Sequence, residues 1–224
     1  MDRELKYVLP AGRVPFVARW LAATCRPDPR FGANDVFTVY YDTLDQQSIH
    51  EKIDSDYVKT KVRVRWYAPA GDAPRGDAFV EVKRRIGDRR EKVRVVLPGA
   101  AAALAGRPLL DPAWLVVPRE LRREGVFLDT LFRPVLALTY RRTRLVEAAS
   151  GARVSCDTAI RATTAHPSLF VAGTPEPLPV GVIEVKGPSD ELPMPLRTMT
   201  RFGARLTAFS KYAAVWEQLR TRPE

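Results

Sequence analysis

The stretch Lys59-Thr60-Lys61-Val62-Arg63-Val64-Arg65-Trp66-Tyr67 sets a cation on every second residue and fills the gaps with β-favouring side chains. A strand turns successive side chains to opposite faces, so Lys59, Lys61, Arg63 and Arg65 share one face while Thr60, Val62, Val64 and Trp66 share the other. Taken alone, this is a solvated charged face over a Val/Trp core face. The pattern recurs along the chain. Residues Ala78 to Arg85 and Arg89 to Leu97 read as a hairpin turning at Gly87-Asp88. Glu81, Lys83 and Arg85 share a face of its first strand, and Arg90, Lys92 and Arg94 share a face of its second. The same alternation marks Glu4 and Lys6 in a strand over residues 3–9, then Tyr140, Arg142 and Arg144 in one over 134–146. It returns with Arg153, Ser155 and Asp157 in a strand over 152–162, and with Glu184 and Lys186 in one over 180–187.

Between these strands the periodicity changes. Val14, Val17, Trp20, Leu21 and Cys25 recur at helical spacing, and Cys25 to Asn34, with two prolines and a glycine, reads as a loop. A strand follows over Asp35 to Asp42, then a short helical or irregular piece through Asp54. Residues 98–133 read as a helical insertion with pieces at Ala100 to Leu104, Pro112 to Leu115 and Arg119 to Leu131, broken by glycines and prolines. The tail from Pro195 is helical, with Leu196, Met199, Phe202 and Leu206 spaced for one buried face. Ser210 is placed to cap a last helix from Lys211 through Leu219.

The chain has 224 residues, enough for one large domain, and we treat residues 1–224 as one. A hydrophobic fraction of 46% excludes a disordered protein, and no apolar run is long enough for a membrane span. With no secretory signal at the start, the expectation is a soluble, cytoplasmic protein. Lys and Arg number 36 against 26 Asp and Glu, a formal charge of +10 that calls for an acidic partner. Cys25 and Cys156 are too far apart in sequence to suggest a zinc site or a disulfide framework. His50 and His166 stand alone, without a Ser or Cys constellation.

Charged faces on so many strands allow two architectures. In one, a sandwich has a very basic outside. In the other, a closed antiparallel barrel points its charges inward, and the amphipathic helices at the beginning, middle and end cover its apolar exterior. The carboxylates Glu4, Glu81, Asp157 and Glu184 among the cations favour the second. Such a lumen is tolerable only when water and a polyanion neutralise it, so the implied ligand is multiply negative, elongated and held along several strands.

The ordered set Glu4-Leu-Lys6-Tyr7, Tyr40-Tyr-Asp42, Val62-Arg63-Val-Arg65-Trp-Tyr67, Val80-Glu81-Val-Lys83, Glu91-Lys92, Tyr140-Arg-Arg142, Arg153-Val-Ser-Cys-Asp157, Ile183-Glu184-Val-Lys186 and Phe209-Ser210-Lys211-Tyr212 resembles the VTC domain. This is the polyphosphate polymerase domain of the vacuolar transporter chaperone, in the triphosphate tunnel metalloenzyme (CYTH-like) superfamily. The resemblance implies an α+β, mainly β fold: a closed antiparallel eight-stranded barrel around a basic tunnel, with flanking helices. It implies transfer of the γ-phosphate of ATP onto inorganic polyphosphate with Mn²⁺ or Mg²⁺. Lys6, Arg63, Arg65, Lys83, Lys92, Arg142, Arg153 and Lys186 would be the catalytic cations holding the triphosphate and the chain. Tyr140, Lys61, Ser210 and Lys211 would help bind substrate, and Glu184 and Glu4 would bind the metal. Lys59 and Lys61 would widen the basic entrance.

The hydrolytic branch of the superfamily carries two glutamates before the lysine of its first strand. This chain offers Asp2-Arg-Glu4-Leu-Lys6, which argues against two-metal hydrolysis. Two further readings stay open: a tripolyphosphate or nucleoside-triphosphate hydrolase, and a non-catalytic module for polyphosphate or single-stranded nucleic acid. No sequence-specific nucleic acid is expected, and any protein partner is unidentified by the sequence.

Overall fold

The computed structural model describes residues 3–170 and 176–221. Ten strands form one antiparallel sheet: β1 (Arg3–Pro10), β2 (Cys25–Pro27), β3 (Asn34–Asp42), β4 (Val58–Pro69), β5 (Ala78–Ile86), β6 (Arg89–Leu97), β7 (Arg133–Glu147), β8 (Arg153–Ala165), β9 (Val180–Gly187) and β10 (Arg205–Leu206). The helices are α1 (Val14–Thr24), α2 (Gln47–Ile53), α3 (Ala101–Leu104), α4 (Val116–Arg123) and α5 (Lys211–Arg220), with 3-10 turns at Pro112–Leu115 and Met194–Phe202 among the connections. The strand order is β10-β1-β9-β8-β7-β3-β4-β5-β6, and β2 adds to β7 beyond the end of β3.

The sheet curls strongly enough that Lys83 on β5 feels the charges of Glu4 on β1 and Lys186 on β9, far along the strand order. It does not close, which corrects the expected eight-stranded barrel. Closure would need β6 to pair with the free edge of β1, and that edge is taken. Tyr7 and Val8 pair with Leu206 and Arg205, and the Thr207 N–H donates to the Lys6 carbonyl at 2.9 Å. The result is a trough. Its outer strand, β6, ends the sheet with Arg89, Arg90, Lys92 and Arg94, charges that discourage further strand pairing.

Helices cover the apolar outside, as the alternation requires. Val62, Val64 and Trp66 of β4, with Val80 and Val82 of β5, pack under Leu104, Trp114, Val117 and Leu121 of the insertion. On the other flank, Val154, Ile183 and Val185 pack under Val17 and Leu21 of α1 and Leu196 and Met199 of the 3-10 turn. Each such buried aliphatic side chain contributes roughly 1.5–3 kcal/mol. A third apolar cluster lies on the concave face, where Ile49 of α2 and Tyr212, Val215 and Trp216 of α5 pack on Tyr40, Leu136, Leu138 and Ile160. Gly181 is needed where β9 meets α1, because a Cβ there would come within 2.4 Å of a Val14 methyl.

Several local expectations change. The loop after α1 begins with the short strand β2. Helix α4 starts at Val116 and stops at Arg123, whereas Arg119 to Leu131 was expected: Pro118 lies in the first turn, where its missing N–H costs nothing, and Gly125 at φ +71° ends the helix. In the tail, Gly203 at φ +90° stops the 3-10 turn. Leu206 therefore sits on β10 and is 60% exposed, off the expected buried face.

Candidate functional site: a basic trough

The concave side of the sheet encloses a cavity of about 590 Å³, lined by twelve lysines and arginines against two glutamates, Glu4 and Glu184. Strand parity builds it. Lys61, Arg63 and Arg65 project from β4, Lys83 and Arg85 from β5, Arg90 from β6, Tyr140 and Arg142 from β7, and Glu184 and Lys186 from β9. Lys6 and Glu4 enter from β1, Tyr40 from β3 and Lys52 from α2, and residues Leu206 to Lys211 cross from the edge of β1 to α5.

At the centre, Arg63 grips Glu81, donating from Nε at 2.8 Å and from Nη2 at 2.6 Å. Lys92 and Arg94 reach the other Glu81 oxygen at 3.3 and 2.8 Å. Burial works to raise the Glu81 carboxyl, but Arg63 and Arg65 hold it far below the usual carboxylate range. Glu81 is thus a fixed counter-ion behind the wall. Arg65, 6% exposed, donates from Nε to Thr38 Oγ1 at 3.1 Å.

Deeper in, Arg142 donates Nη2 to Asp157 Oδ2 at 2.6 Å and to Glu184 Oε2 at 3.3 Å. Lys211, the first residue of α5, lies 2.6 Å from Asp157 Oδ2 and 3.1 Å from Glu184 Oε1. Burial opposes every charge here, yet Asp157 and Glu184 push the Lys211 ammonium pKa up, and Lys211 and Arg142 hold Glu184 well below its ordinary value. Arg65, Arg142 and Lys211 surround the Tyr140 ring at 5.9, 5.4 and 5.0 Å from its centroid. The Tyr140 hydroxyl is buried without a hydrogen-bond partner.

The opposite wall differs. Burial and the neighbouring Arg63 and Lys6 bring the Lys61 ammonium down to about 8; burial and Arg63 bring Lys83, which opens to solvent, to about 8 as well. Burial would raise the Tyr40 phenol, but Arg63, Lys61 and Arg65 outweigh it and set it at about 8. Lys61 donates to Ser210 Oγ at 3.2 Å, and Ser210 caps α5 by accepting from the Ala213 N–H. Lys6 donates to the Phe209 carbonyl at 3.2 Å and pairs with Glu4 at 3.2 Å, while Lys186 pairs with Glu4 at 3.1 Å.

Of the residues expected from sequence, the cavity wall gathers Glu4, Lys6, Lys61, Arg63, Arg65, Lys83, Tyr140, Arg142, Glu184, Lys186, Ser210 and Lys211. Lys92 stands outside that lining, paired to Glu81. Arg153 also lies outside it, opposite Lys186 on β8. Asp2 falls outside the described residues. Tyr40 and Lys52 were not singled out as ligands. Tyr40 faces the trough because it pairs opposite Arg63 on β4, a register the sequence does not show, and the placement of Lys52 on α2 over the trough is likewise not a local property of sequence.

Among the described residues, no three His, Cys, Asp or Glu side chains group closely enough to hold a metal ion by themselves. Both Glu184 oxygens are engaged by Lys211 and Arg142, and both Glu4 oxygens by Lys6 and Lys186, but the Glu4 carboxylate is the more exposed of the two and faces the cavity. That donor set fits a hard divalent cation sharing phosphate oxygens with one or two carboxylates, as Mg²⁺ does, and does not fit an all-protein cage.

The family model of the VTC domain matches residues 1–109 and 121–220. No curated protein matches the chain in sequence. Among solved structures, the chain is similar to a putative adenylyl cyclase from Hippeastrum described as having a dominant triphosphatase activity, at 16% identity and a TM-score of 0.52, covering 97% of this chain and 96% of that one. It is also similar to a putative adenylate cyclase from Bacillus halodurans, at 14% identity and a TM-score of 0.52, covering 94% of each. These likenesses show that the chain shares the fold of those two proteins.

Proposed function

The chain belongs to the VTC domain family, and on that premise we propose that it is a polyphosphate polymerase that transfers the γ-phosphate of ATP onto inorganic polyphosphate in the trough. One observation carries the reading. Twelve cations line a single cavity, and its carboxylates, Glu4 and Glu184 on the wall with Glu81 and Asp157 behind it, leave a large positive excess that a polyanion would balance.

The chemistry asks little else. A metaphosphate-like transition state needs in-line alignment and neutralisation of oxygen charge. Arg65, whose Nε is held by Thr38, presents its terminal guanidinium nitrogens to phosphate; Arg63, whose Nε and Nη2 are taken by Glu81, adds its remaining nitrogen and its charge, and Lys61, Lys83, Lys6 and Lys186 act as point charges along the chain. Arg142 and Lys211, locked by Asp157 and Glu184, fix the inner end, where the unpartnered Tyr140 hydroxyl is free to bond a phosphate oxygen. Ser210 and the first N–H groups of α5 add donors beside it. A Mn²⁺ or Mg²⁺ brought with the substrate would be held by Glu4 and Glu184 as their lysine and arginine partners turn to phosphate, and would neutralise phosphate charge. Neither histidine lines the cavity, consistent with a transfer that needs no protein base.

A hydrolase of triphosphates is the second reading, favoured by the likeness to the Hippeastrum protein and its triphosphatase activity. Incubating purified protein with ATP and Mn²⁺ and resolving the products separates them. Long-chain polyphosphate with ADP supports the polymerase, free phosphate without chains supports the hydrolase, and no turnover leaves a polyanion-binding module.

A further inference from the structure

At one end of the trough, just beyond Arg65 and Arg142, planar groups replace point charges. Arg144 lies with its guanidinium carbon 5.6 Å from the Phe31 ring centroid and 5.3 Å from that of Tyr67. Tyr67 meets Phe79 at 6.1 Å, and Arg94 covers Phe79 at 4.8 Å. Three rings and two guanidiniums therefore form one contact series, Phe31–Arg144–Tyr67–Phe79–Arg94, over β7, β4, β5 and β6 and the turn before β3. The series is continuous with the phosphate wall: Tyr67 follows Arg65 and Arg144 follows Arg142 by one step on the same face, about 6–7 Å along a strand.

The outermost ring is presented rather than tucked away. Asp28 Oδ1 accepts the Arg30 and Phe31 N–H groups at 2.8 and 2.9 Å, and the Asp28 N–H donates to the Arg144 carbonyl at 3.1 Å, tying this turn to β7. Arg144 is itself fixed by donating to Asn34 Oδ1 at 2.6 Å. Phe31 nevertheless remains 57% exposed, so the turn holds an open aromatic face beside a row of cations.

We propose that the Phe31–Arg144–Tyr67 stack is a nucleobase platform, on which the base of a nucleoside triphosphate lies while its phosphates extend into the trough. An inorganic chain has no planar group to use such a surface, whereas every base has a π-face that stacks on rings and guanidiniums. The platform would thus distinguish a nucleotide donor from the inorganic product at one end of the cavity. This inference rests on the phosphate reading of the trough, and the test keeps the two apart.

ATP and inorganic tripolyphosphate are titrated separately into the unmodified protein, Phe31→Ala and Phe31→Trp. The platform predicts that Phe31→Ala weakens ATP about fivefold or more and changes tripolyphosphate by less than about twofold, with Phe31→Trp keeping the ATP affinity. Unchanged ATP binding in Phe31→Ala, or equal weakening of both ligands, overturns the platform and leaves the trough reading standing. Failure of the unmodified protein to bind tripolyphosphate overturns the trough reading and this inference with it.

Discussion

The two walls of the trough treat positive charge in opposite ways. On the inner wall, Arg142 and Lys211 are each paired with both Asp157 and Glu184, and Asp157 is fully buried. On the outer wall, neither Lys61 nor Lys83 has an ion-pair partner among the described residues, and their ammonium groups sit at about 8. The inner cations are built into the fold; the outer ones stand ready for a charge the protein does not supply. A basic cavity therefore divides into residues whose loss damages the structure and residues whose loss damages binding.

The largest effect should come from the inner wall. Arg142→Ala strips Asp157 and Glu184 of a buried partner and is expected to cost about 3 kcal/mol in denaturant unfolding. A loss under about 1 kcal/mol would erase the distinction between walls, since that is the scale of exposed pairs. Removing Lys61 and Lys83 together should do the reverse: tripolyphosphate affinity falls at least about tenfold while thermal stability holds or rises, because unpaired like charges are relieved.

Acidity sharpens the same contrast. The form of Lys61 and Lys83 that binds a polyanion is the protonated one, and a bound polyanion raises their pKa values, so binding takes up protons. Between pH 7 and 9, tripolyphosphate affinity should fall by roughly tenfold for Lys61, with a smaller share from the more exposed Lys83. The free protein should move the other way. Folded-state values lowered to about 8 for these lysines and for Tyr40 mean that stability lost below about 8 is regained as pH rises toward their unfolded values. Opposite slopes for affinity and stability are the signature, read by calorimetry and by thermal melts.

A smaller effect serves as a control. Gly87 turns the β5–β6 hairpin at φ +56°, and a Cβ there would meet the Tyr57 ring at 2.8 Å. Gly87→Ala should cost about 1 kcal/mol of stability and leave tripolyphosphate affinity unchanged. A matching loss of affinity would mean that the outer wall depends on global stability rather than on local charge.

The cationic lining itself is legible in the alternation of the strands. The Lys61-x-Arg63-x-Arg65 spacing placed three cations on one face, and Glu184-x-Lys186 did the same from the far side of the sheet. Ser210 as the cap of α5 was equally local. Which cations are neutralised was not readable, because pairing Arg142 with Asp157 and Lys211 with Glu184 depends on register and on where α5 docks. Closure failed for the same kind of reason. Arg205-Leu206 has no strand signal of its own, and only its long-range pairing with Tyr7 and Val8 occupies the edge a barrel would need. Phe31 lay in a stretch read as loop, and nothing local shows that Asp28 folds it over Arg144.

On this structure the outer wall holds cations left for a condensed phosphate. The most direct test is titration of tripolyphosphate into the pure protein at pH 8, repeated in buffers of different ionisation enthalpy to count protons. The expected result is a single saturable event with net proton uptake, and both the uptake and most of the affinity lost in the Lys61→Ala, Lys83→Ala double variant. Binding without proton uptake, or binding that survives the double variant intact, would contradict it.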